Sequence, residues 1–188
     1  MLLSSKPRIL ILSAGLACVM EAQVLYDPSL GTLPTAQGWS LVSSPGARPP
    51  ILTDGFLRIA DISRHESLIG ISRLAPLPLD RSIGFRLAFQ LQATLEDHGN
   101  RPDRSGISLT VIGNDRKGIE LGFWDFSIWA QSDSPLFVHS EEAAWFTHSH
   151  LAYYVLTIQG NTYSLTADGM ALLTGPLTTA HFAWRSRL

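Results

Sequence analysis

The stretch that decides the fold is GFRLAFQLQA, residues 84–93. Apolar side chains occupy every second position of it, namely Phe85, Leu87, Phe89 and Leu91. Polar or small side chains stand between them. Because neighbouring side chains of a strand point to opposite faces, this period of two predicts a β-strand with one buried and one solvated side.

The same alternation recurs further along the chain. It is present in SGISLTVIG, residues 105–113, and in GIELGF, residues 118–123. In residues 153–175, YYVLTIQGNTYSLTADGMALLTG, the pairs Gly160-Asn161 and Asp168-Gly169 separate three alternating runs. Such turn pairs between alternating runs predict a three-stranded antiparallel meander.

Turn signals also connect the remaining strands. TDGF, residues 53–56, predicts a hairpin, and GNDRKG, residues 113–118, joins two of the strands. SEEAAWF, residues 140–146, is where we expect a single helical turn. About ten short strands predict an all-β domain, an antiparallel jelly-roll sandwich, with an up-and-down barrel as the alternative.

The alternation also names the expected core. We expect these side chains to be largely buried together: Phe85, Leu87, Phe89, Leu91, Ile107, Leu109, Val111, Ile119, Leu121, Phe123, Leu156, Ile158, Tyr163 and Leu165.

Composition limits the class of protein. The 188 residues are 45% hydrophobic and 16% charged, with a net charge of −2, so one domain with a sizeable core is expected. Lysines and arginines are scattered, whereas a nucleic-acid-binding protein normally carries a basic stripe. We therefore expect no nucleic-acid partner.

The N-terminus has the pattern of an export signal. Lys6 and Arg8 precede the apolar run Ile9–Met20, which is too short to span a bilayer. We expect residues 1–22 to be a signal peptide, with cleavage after Ala22 or, alternatively, after Ala17, and a secreted or cell-surface mature domain over 23–188 with no membrane span. Two alternatives remain open: an N-terminal helix that is retained, and cleavage before Cys18, the only cysteine, as in a lipoprotein.

Much of the mature chain resembles a known family. The segments are VLYDPSLGTLPTAQGW (24–39), LDRSIGFRLAFQLQ (79–92), DRSGISLTVIGNDRKGIELGFW (103–124), IWAQSDSPLF (128–137) and the closing meander. They are similar to secreted bacterial domains of the concanavalin A-like lectin/glucanase type, often found in cyanobacterial and planctomycete-type proteins with a C-terminal sorting anchor. The resemblance implies a jelly roll with a carbohydrate groove on its concave sheet face. It also implies further strands after LLTGPL, so we expect either a short member of the family or one whose C-terminus is truncated or frame-shifted.

The run GIELGFWDFSIWAQ, residues 118–131, is the candidate binding face. If Ile119, Leu121 and Phe123 face the core, strand parity places Glu120, Gly122 and Trp124 on the other side. A gap at Gly122 between a carboxylate and an indole suits a sugar ring, whose C–H face stacks while its hydroxyls form hydrogen bonds. The candidate ligand-binding residues are Trp124, Glu120, Trp129, Gln131, Arg86 and Gln90.

The resemblance also implies an enzymatic alternative. Laminarinase-like glycosidases of this fold carry Glu-x-Asp-x-x-Glu on one strand, with two glutamates as nucleophile and acid. Here ELGFWD places Glu120 at the first position, Gly122 at the second and Asp125 at the last. A degenerate glycoside hydrolase using Glu120 and Asp125 is therefore the alternative to a module with no catalytic residues.

Two segments are candidates for metal binding, although neither matches a known ligand motif and we expect no metal site. HSEEAAWFTHSH contains His139, Glu141, Glu142, His148 and His150, and the last two share a face if the segment is extended. The second segment is the oxygen-rich loop after the strand in residues 84–93. It could offer calcium the side chains of Glu96, Asp97, Asn100 and Asp103.

Three functions remain open at this point. The first is an exported carbohydrate-binding module for a glycan or cell-surface glycan, the second the hydrolase, and the third a structural or adhesion domain without a small ligand. The exposure of Trp124 is the observation that best separates a binding face from a core strand.

Overall fold

The computed structural model describes residues 22–60, 68–98 and 106–179, and β-structure dominates them. The expected signal peptide lies outside the described residues except for Ala22. Two short 3-10 helices, Pro28–Leu30 and Pro34–Gln37, open the described chain. Within these ranges no helix is long and apolar enough to cross a membrane.

Thirteen strands follow the two helices in the described part of the chain. In chain order they are β1 (Ser40–Ser43), β2 (Ile51–Thr53), β3 (Phe56–Arg58), β4 (Ile69–Ser72), β5 (Phe85–Leu91), β6 (Ile107–Ile112), β7 (Lys117–Phe123), β8 (Ser127–Asp133), β9 (Leu136–Ala144), β10 (Ala152–Gln159), β11 (Thr162–Ala167), β12 (Met170–Pro176) and β13 (Thr178–Thr179).

Two antiparallel sheets carry the core. The four-stranded sheet has the order β12-β11-β10-β5, and the five-stranded sheet contains β13, β7, β8 and β9 with β6 paired to β7. β1 with β4, and β2 with β3, form two further two-stranded sheets that are separate from the larger ones. The chain is therefore an all-β sandwich, as the alternation predicts.

The core lies between the two larger sheets, because each sheet turns its apolar face toward the other. Phe89 and Tyr154 of the four-stranded sheet stack at 5.2 Å, and Phe123 of the five-stranded sheet meets Tyr154 edge-on at 5.5 Å. Every residue of the expected core belongs to this cluster, either fully buried or packed against it at the margin. The predicted register is confirmed.

The turn predictions for the meander and the first hairpin are also confirmed. β10, β11 and β12 pair in succession, and β2 pairs with β3 across Asp54 and Gly55, whose φ angles of 51° and 78° are left-handed. Such angles fit the Asp-Gly hairpin signal. The expected helical turn in residues 140–146 is wrong, because residues 140–144 form the last part of β9, which pairs with β8.

The five-stranded sheet is irregular where β7 meets β8. The two strands pair only from Leu121 to Phe123, opposite Ile128 to Ala130. At the start of β7, Lys117 and Gly118 pair instead with β13. β8 is bulged against β9 on both sides of Gln131. Bulges of this kind bend a strand and redirect side chains, and they occur often beside functional sites.

Candidate functional site

The candidate site lies on the side of the five-stranded sheet that faces away from the core, here called the outer face. Ile119, Leu121 and Phe123 are buried in the core, as expected. Strand parity therefore assigns Glu120 and Gly122 to the outer face. The pairing of β7 with β8 then brings Trp129 directly opposite Gly122.

The gap expected at Gly122 does not exist, because Trp129 fills it. A Cβ atom at Gly122 would lie 2.4 Å from Cε2 of the Trp129 indole and 2.8 Å from its Nε1. Trp129 itself has no solvent exposure. The prediction of an open sugar-sized gap at this position is wrong, and Trp129 is instead a packed floor of the outer face.

Trp124 lies just beyond the end of β7, in the turn toward β8. Its backbone N–H donates to the carbonyl of Ser127 at 2.9 Å, which closes the turn. Its ring meets Trp129 edge-on at 5.8 Å, which places it on the outer face and not in the core. Trp124 is half-buried. Glu120 and Trp124 were expected to approach one another across an open Gly122, but the Trp129 indole covers that glycine.

Two histidines complete an aromatic cluster with these tryptophans. The ring of His98 stacks on Trp124 at 4.1 Å with an interplanar angle of 9°. The ring of His139 stacks on Trp129 at 3.9 Å and 11°, and also meets Trp124 edge-on. Trp124, Trp129, His98 and His139 together form the aromatic cluster.

Each histidine of the aromatic cluster is held by a glutamate. Nδ1 of His98 lies 2.9 Å from Oε2 of Glu96, and Nδ1 of His139 lies 2.9 Å from Oε2 of Glu142. Sequence reasoning missed His98 and considered His139 only as a metal ligand. The sequence signal that could have identified both histidines is a glutamate close by in the chain: Glu96 lies two residues before His98, and Glu142 lies three residues after His139.

Burial perturbs two carboxyl groups near the aromatic cluster. Burial raises the pKa of Glu120, and a hydrogen bond with Ser108 across the strand pair offsets part of that rise. Burial likewise raises the pKa of Glu96, opposed by the hydrogen bond from His98 and reinforced by the charge of Asp125.

Two buried polar atoms at the site have no hydrogen-bond partner among the described residues. They are Oδ1 of Asp125, an acceptor, and Nε1 of Trp129, a donor. Buried polar groups are normally paired, and each one left unpaired costs about 1–3 kcal/mol. A hydroxyl group can donate to the Asp125 carboxylate, whereas the N–H of Trp129 belongs to a fully buried side chain.

The remaining predicted ligand-binding residues are divided between the two sheets. Gln131 lies on β8 two positions after Trp129 and pairs with His139, so it borders the aromatic cluster. Arg86 and Gln90 do not, because β5 pairs with β10 in the four-stranded sheet. Their expected place beside Glu120 is wrong, since both are exposed on the far side of the sandwich.

The structure separates the histidines and acids considered for metal binding. Glu141 accepts a hydrogen bond from Tyr163 at 2.8 Å, whereas its neighbour Glu142 contacts His139 on the outer face. The segment after β9 turns instead of extending, and His150 contacts Asp168 at 2.8 Å. Within the part of the chain that is described, no three His, Cys, Asp or Glu side chains converge to hold a metal ion.

Only the first half of the candidate calcium loop is described. Asn100 and Asp103 lie outside the described residues. Glu96 has a side chain that is 2% exposed and is already in contact with His98.

Comparison with known proteins adds no relative to these observations. The chain matches no protein-family model, and neither a curated protein nor a solved structure matches it.

Proposed function

We propose that the chain is an exported, non-catalytic module that binds carbohydrate on the outer face of the five-stranded sheet, within a concanavalin A-like jelly roll. The observation that carries the proposal is the carboxylate of Asp125, whose Oδ1 has no hydrogen-bond partner among the described residues, directly after the half-buried indole of Trp124. An aromatic plane next to an unpartnered acceptor matches the two kinds of surface that a sugar presents.

The chemistry of a sugar ring meets each of these groups. Its C–H face stacks on the plane of Trp124, and its hydroxyls both donate and accept hydrogen bonds. A hydroxyl can donate to the Asp125 carboxylate, whereas the N–H of Trp129 is buried beneath the outer face. The neighbouring Glu96 and Gln131 widen the set of acceptors and donors around the same ring.

A binding experiment with matched variants tests this proposal. The wild type, Trp124→Ala and Asp125→Asn are applied to an array of β-glucan, xylan, mannan and chitin hexasaccharides. We expect Asp125→Asn to weaken binding by roughly 10- to 100-fold, the usual value of a charged hydrogen bond, and Trp124→Ala by roughly tenfold. Tyr153→Ala, an exposed aromatic on the four-stranded sheet, is the control and leaves binding unchanged.

Binding to no glycan by the folded wild type contradicts the carbohydrate proposal. In that case the outer face is structural, and the chain is an adhesion or scaffold domain. Unchanged glycan binding in both Trp124→Ala and Asp125→Asn places the ligand elsewhere on the sandwich.

One observation favours hydrolysis as the second candidate. Burial raises the pKa of Glu120, as is common for a carboxyl group that acts as a general acid. Asp125 is the second carboxyl of this hypothesis. A reducing-sugar assay on β-glucans tests it: turnover by the wild type that Glu120→Gln abolishes without loss of binding supports the hydrolase, and no turnover rejects it.

Export is part of the proposal and has its own test. It depends on the basic residues and short apolar run at the N-terminus. Mass spectrometry of the protein recovered from outside the cell should find a chain that begins at Gln23 or, for the alternative cleavage, at Cys18. A chain that still begins at Met1 contradicts export by signal cleavage.

A further inference from the structure

We propose that His98 is an internal substitute for the ligand, which occupies the stacking face of Trp124 and must be displaced when carbohydrate binds. This inference rests on the proposed function and adds a mechanism of self-competition to it. In this mechanism His98 lowers the affinity of the site for carbohydrate, and carbohydrate binding does not require His98.

The contacts of His98 are those of a bound ring. Its imidazole is parallel to the Trp124 indole at 4.1 Å, with an interplanar angle of 9°. The same ring places Nδ1 at 2.9 Å and 3.2 Å from the two carboxylate oxygens of Glu96. His98 therefore combines a stacked plane with a hydrogen bond to an acid.

A sugar ring would use the same two partners in the same way. Its C–H face stacks on an indole, and its hydroxyls donate to a carboxylate. The imidazole and the sugar cannot occupy one face of Trp124 together. A sugar that displaces His98 also releases the carboxylate of Glu96, which then becomes available to a ligand hydroxyl.

Exposure shows which of the two groups can leave. The side chain of His98 is 29% exposed, whereas that of Glu96 is 2% exposed. The imidazole thus lies on the solvent side of the contact, and the acid is fixed beneath it. A ring at the surface can move into water, where its polar atoms are hydrated, while the buried carboxylate stays in place.

The second histidine of the aromatic cluster offers an informative contrast. His139 stacks on Trp129 in the same manner, but Trp129 is fully buried and packed against Gly122. His139 is also less exposed than His98, at 18% against 29% of the side chain. We therefore place the exchange at Trp124, whose indole is half-buried, and assign His139 to packing.

The experiment compares the full-length wild type, His98→Ala and His150→Ala on the hexasaccharide array, followed by titration of the glycan that binds most tightly. We expect His98→Ala to bind roughly three- to tenfold more tightly, which corresponds to the usual strength of an aromatic contact. His150 is a matched control, because it also lies near a tryptophan, at 6.0 Å from Trp145, and contacts an acid, Asp168. His150→Ala should bind like the wild type.

A second readout needs no ligand. Removal of the His98 ring should uncover the indole of Trp124, so acrylamide should quench the tryptophan fluorescence of His98→Ala more strongly than that of the wild type or of His150→Ala. Unchanged quenching overturns the stacking contact and, with it, the proposal.

The outcomes separate this inference from the proposed function. Equal affinity of the wild type and His98→Ala for the same glycan overturns displacement and leaves carbohydrate binding intact. Weaker binding by His98→Ala also overturns displacement, because His98 would then assist the ligand. Binding by neither protein overturns the proposed function, and displacement fails with it.

Discussion

Replacing Gly122 by alanine tests the packing that forms the floor of the candidate site. The new methyl group would lie 2.4 Å from Cε2, 2.7 Å from Cζ2 and 2.8 Å from Nε1 of Trp129. These separations are far below van der Waals contact. Trp129 cannot retreat freely, because it is fully buried and stacked on His139 at 3.9 Å.

Two opposing effects determine the sign of the change. Alanine in a strand gains about 0.5–1 kcal/mol over glycine, because glycine loses more backbone entropy on folding. Overpacking a well-filled site costs about 1–3 kcal/mol. At a separation of 2.4 Å we expect the clash to dominate and the free energy of unfolding to fall by about 1–2 kcal/mol, with a fall in Tm of roughly 2–8 °C.

Urea unfolding followed by circular dichroism measures the change in stability, and a double-mutant cycle identifies its cause. In a Trp129→Phe background the part of the indole nearest Gly122 is absent, so Gly122→Ala should cost little there. A Gly122→Ala variant as stable as the wild type refutes the packing described here. An equal cost in both backgrounds shows that the strain comes from the backbone and not from Trp129.

Two further predictions concern the core and the pH dependence of stability. Leu156 and Leu87 are partners in the β10–β5 ladder, but only Leu156 is fully buried. Leu156→Ala should therefore lower the free energy of unfolding by about 3–5 kcal/mol and Leu87→Ala by about 2–3 kcal/mol, measured by urea unfolding. The reverse order would contradict the register. Burial raises the pKa of Glu120 above its ordinary value of 4.5, so the folded state holds the carboxyl proton more tightly than the unfolded state does. The contribution of Glu120 to stability is therefore full below pH 4.5 and declines as the pH rises through the folded-state pKa. Glu120→Gln should therefore gain stability over the wild type at pH 7 and lose that gain toward pH 4; a difference independent of pH excludes ionisation of Glu120 as its source.

The sequence alone predicts the core well, because alternation is a local property. A period of two in residues such as Phe85, Leu87 and Phe89 fixes which side chains share a face without any knowledge of the partner strand. The Asp-Gly and Gly-Asn turns are equally local, since they depend on a few backbone angles. These two signals are sufficient to obtain an all-β sandwich and its buried residues.

The site is predicted less well, because it depends on which strands become neighbours. Parity shows that Arg86 and Glu120 both point away from the core, but not that they belong to different sheets. The filling of Gly122 by Trp129 depends on a ladder of three residue pairs between β7 and β8, interrupted by bulges. No local pattern specifies that register.

The segment 140–146 shows the same limit for secondary structure. Its adjacent glutamates and alanines favour a helix by composition. In the strand, Glu141 reaches Tyr163 and Glu142 reaches His139 on the opposite side. Glu141 thus has a long-range partner, and this contact, together with the pairing of β9 with β8, overrides the local propensity.

The pairing of β5 with β10 has a consequence for how quickly the protein can fold. The chain between Leu91 and Ala152, the first partners of this ladder, carries β6, β7, β8 and β9 of the other sheet. The meander β10–β12 can close through short turns, but β5 must find its place across a long loop, and such non-local pairing slows folding to the range of milliseconds to seconds. During that search the apolar side of β5 has no cover, and an unpaired apolar strand is a template for another copy of the chain. A change that speeds the closure of β5 onto β10 should therefore shorten the time in which newly made molecules expose this strand to other copies.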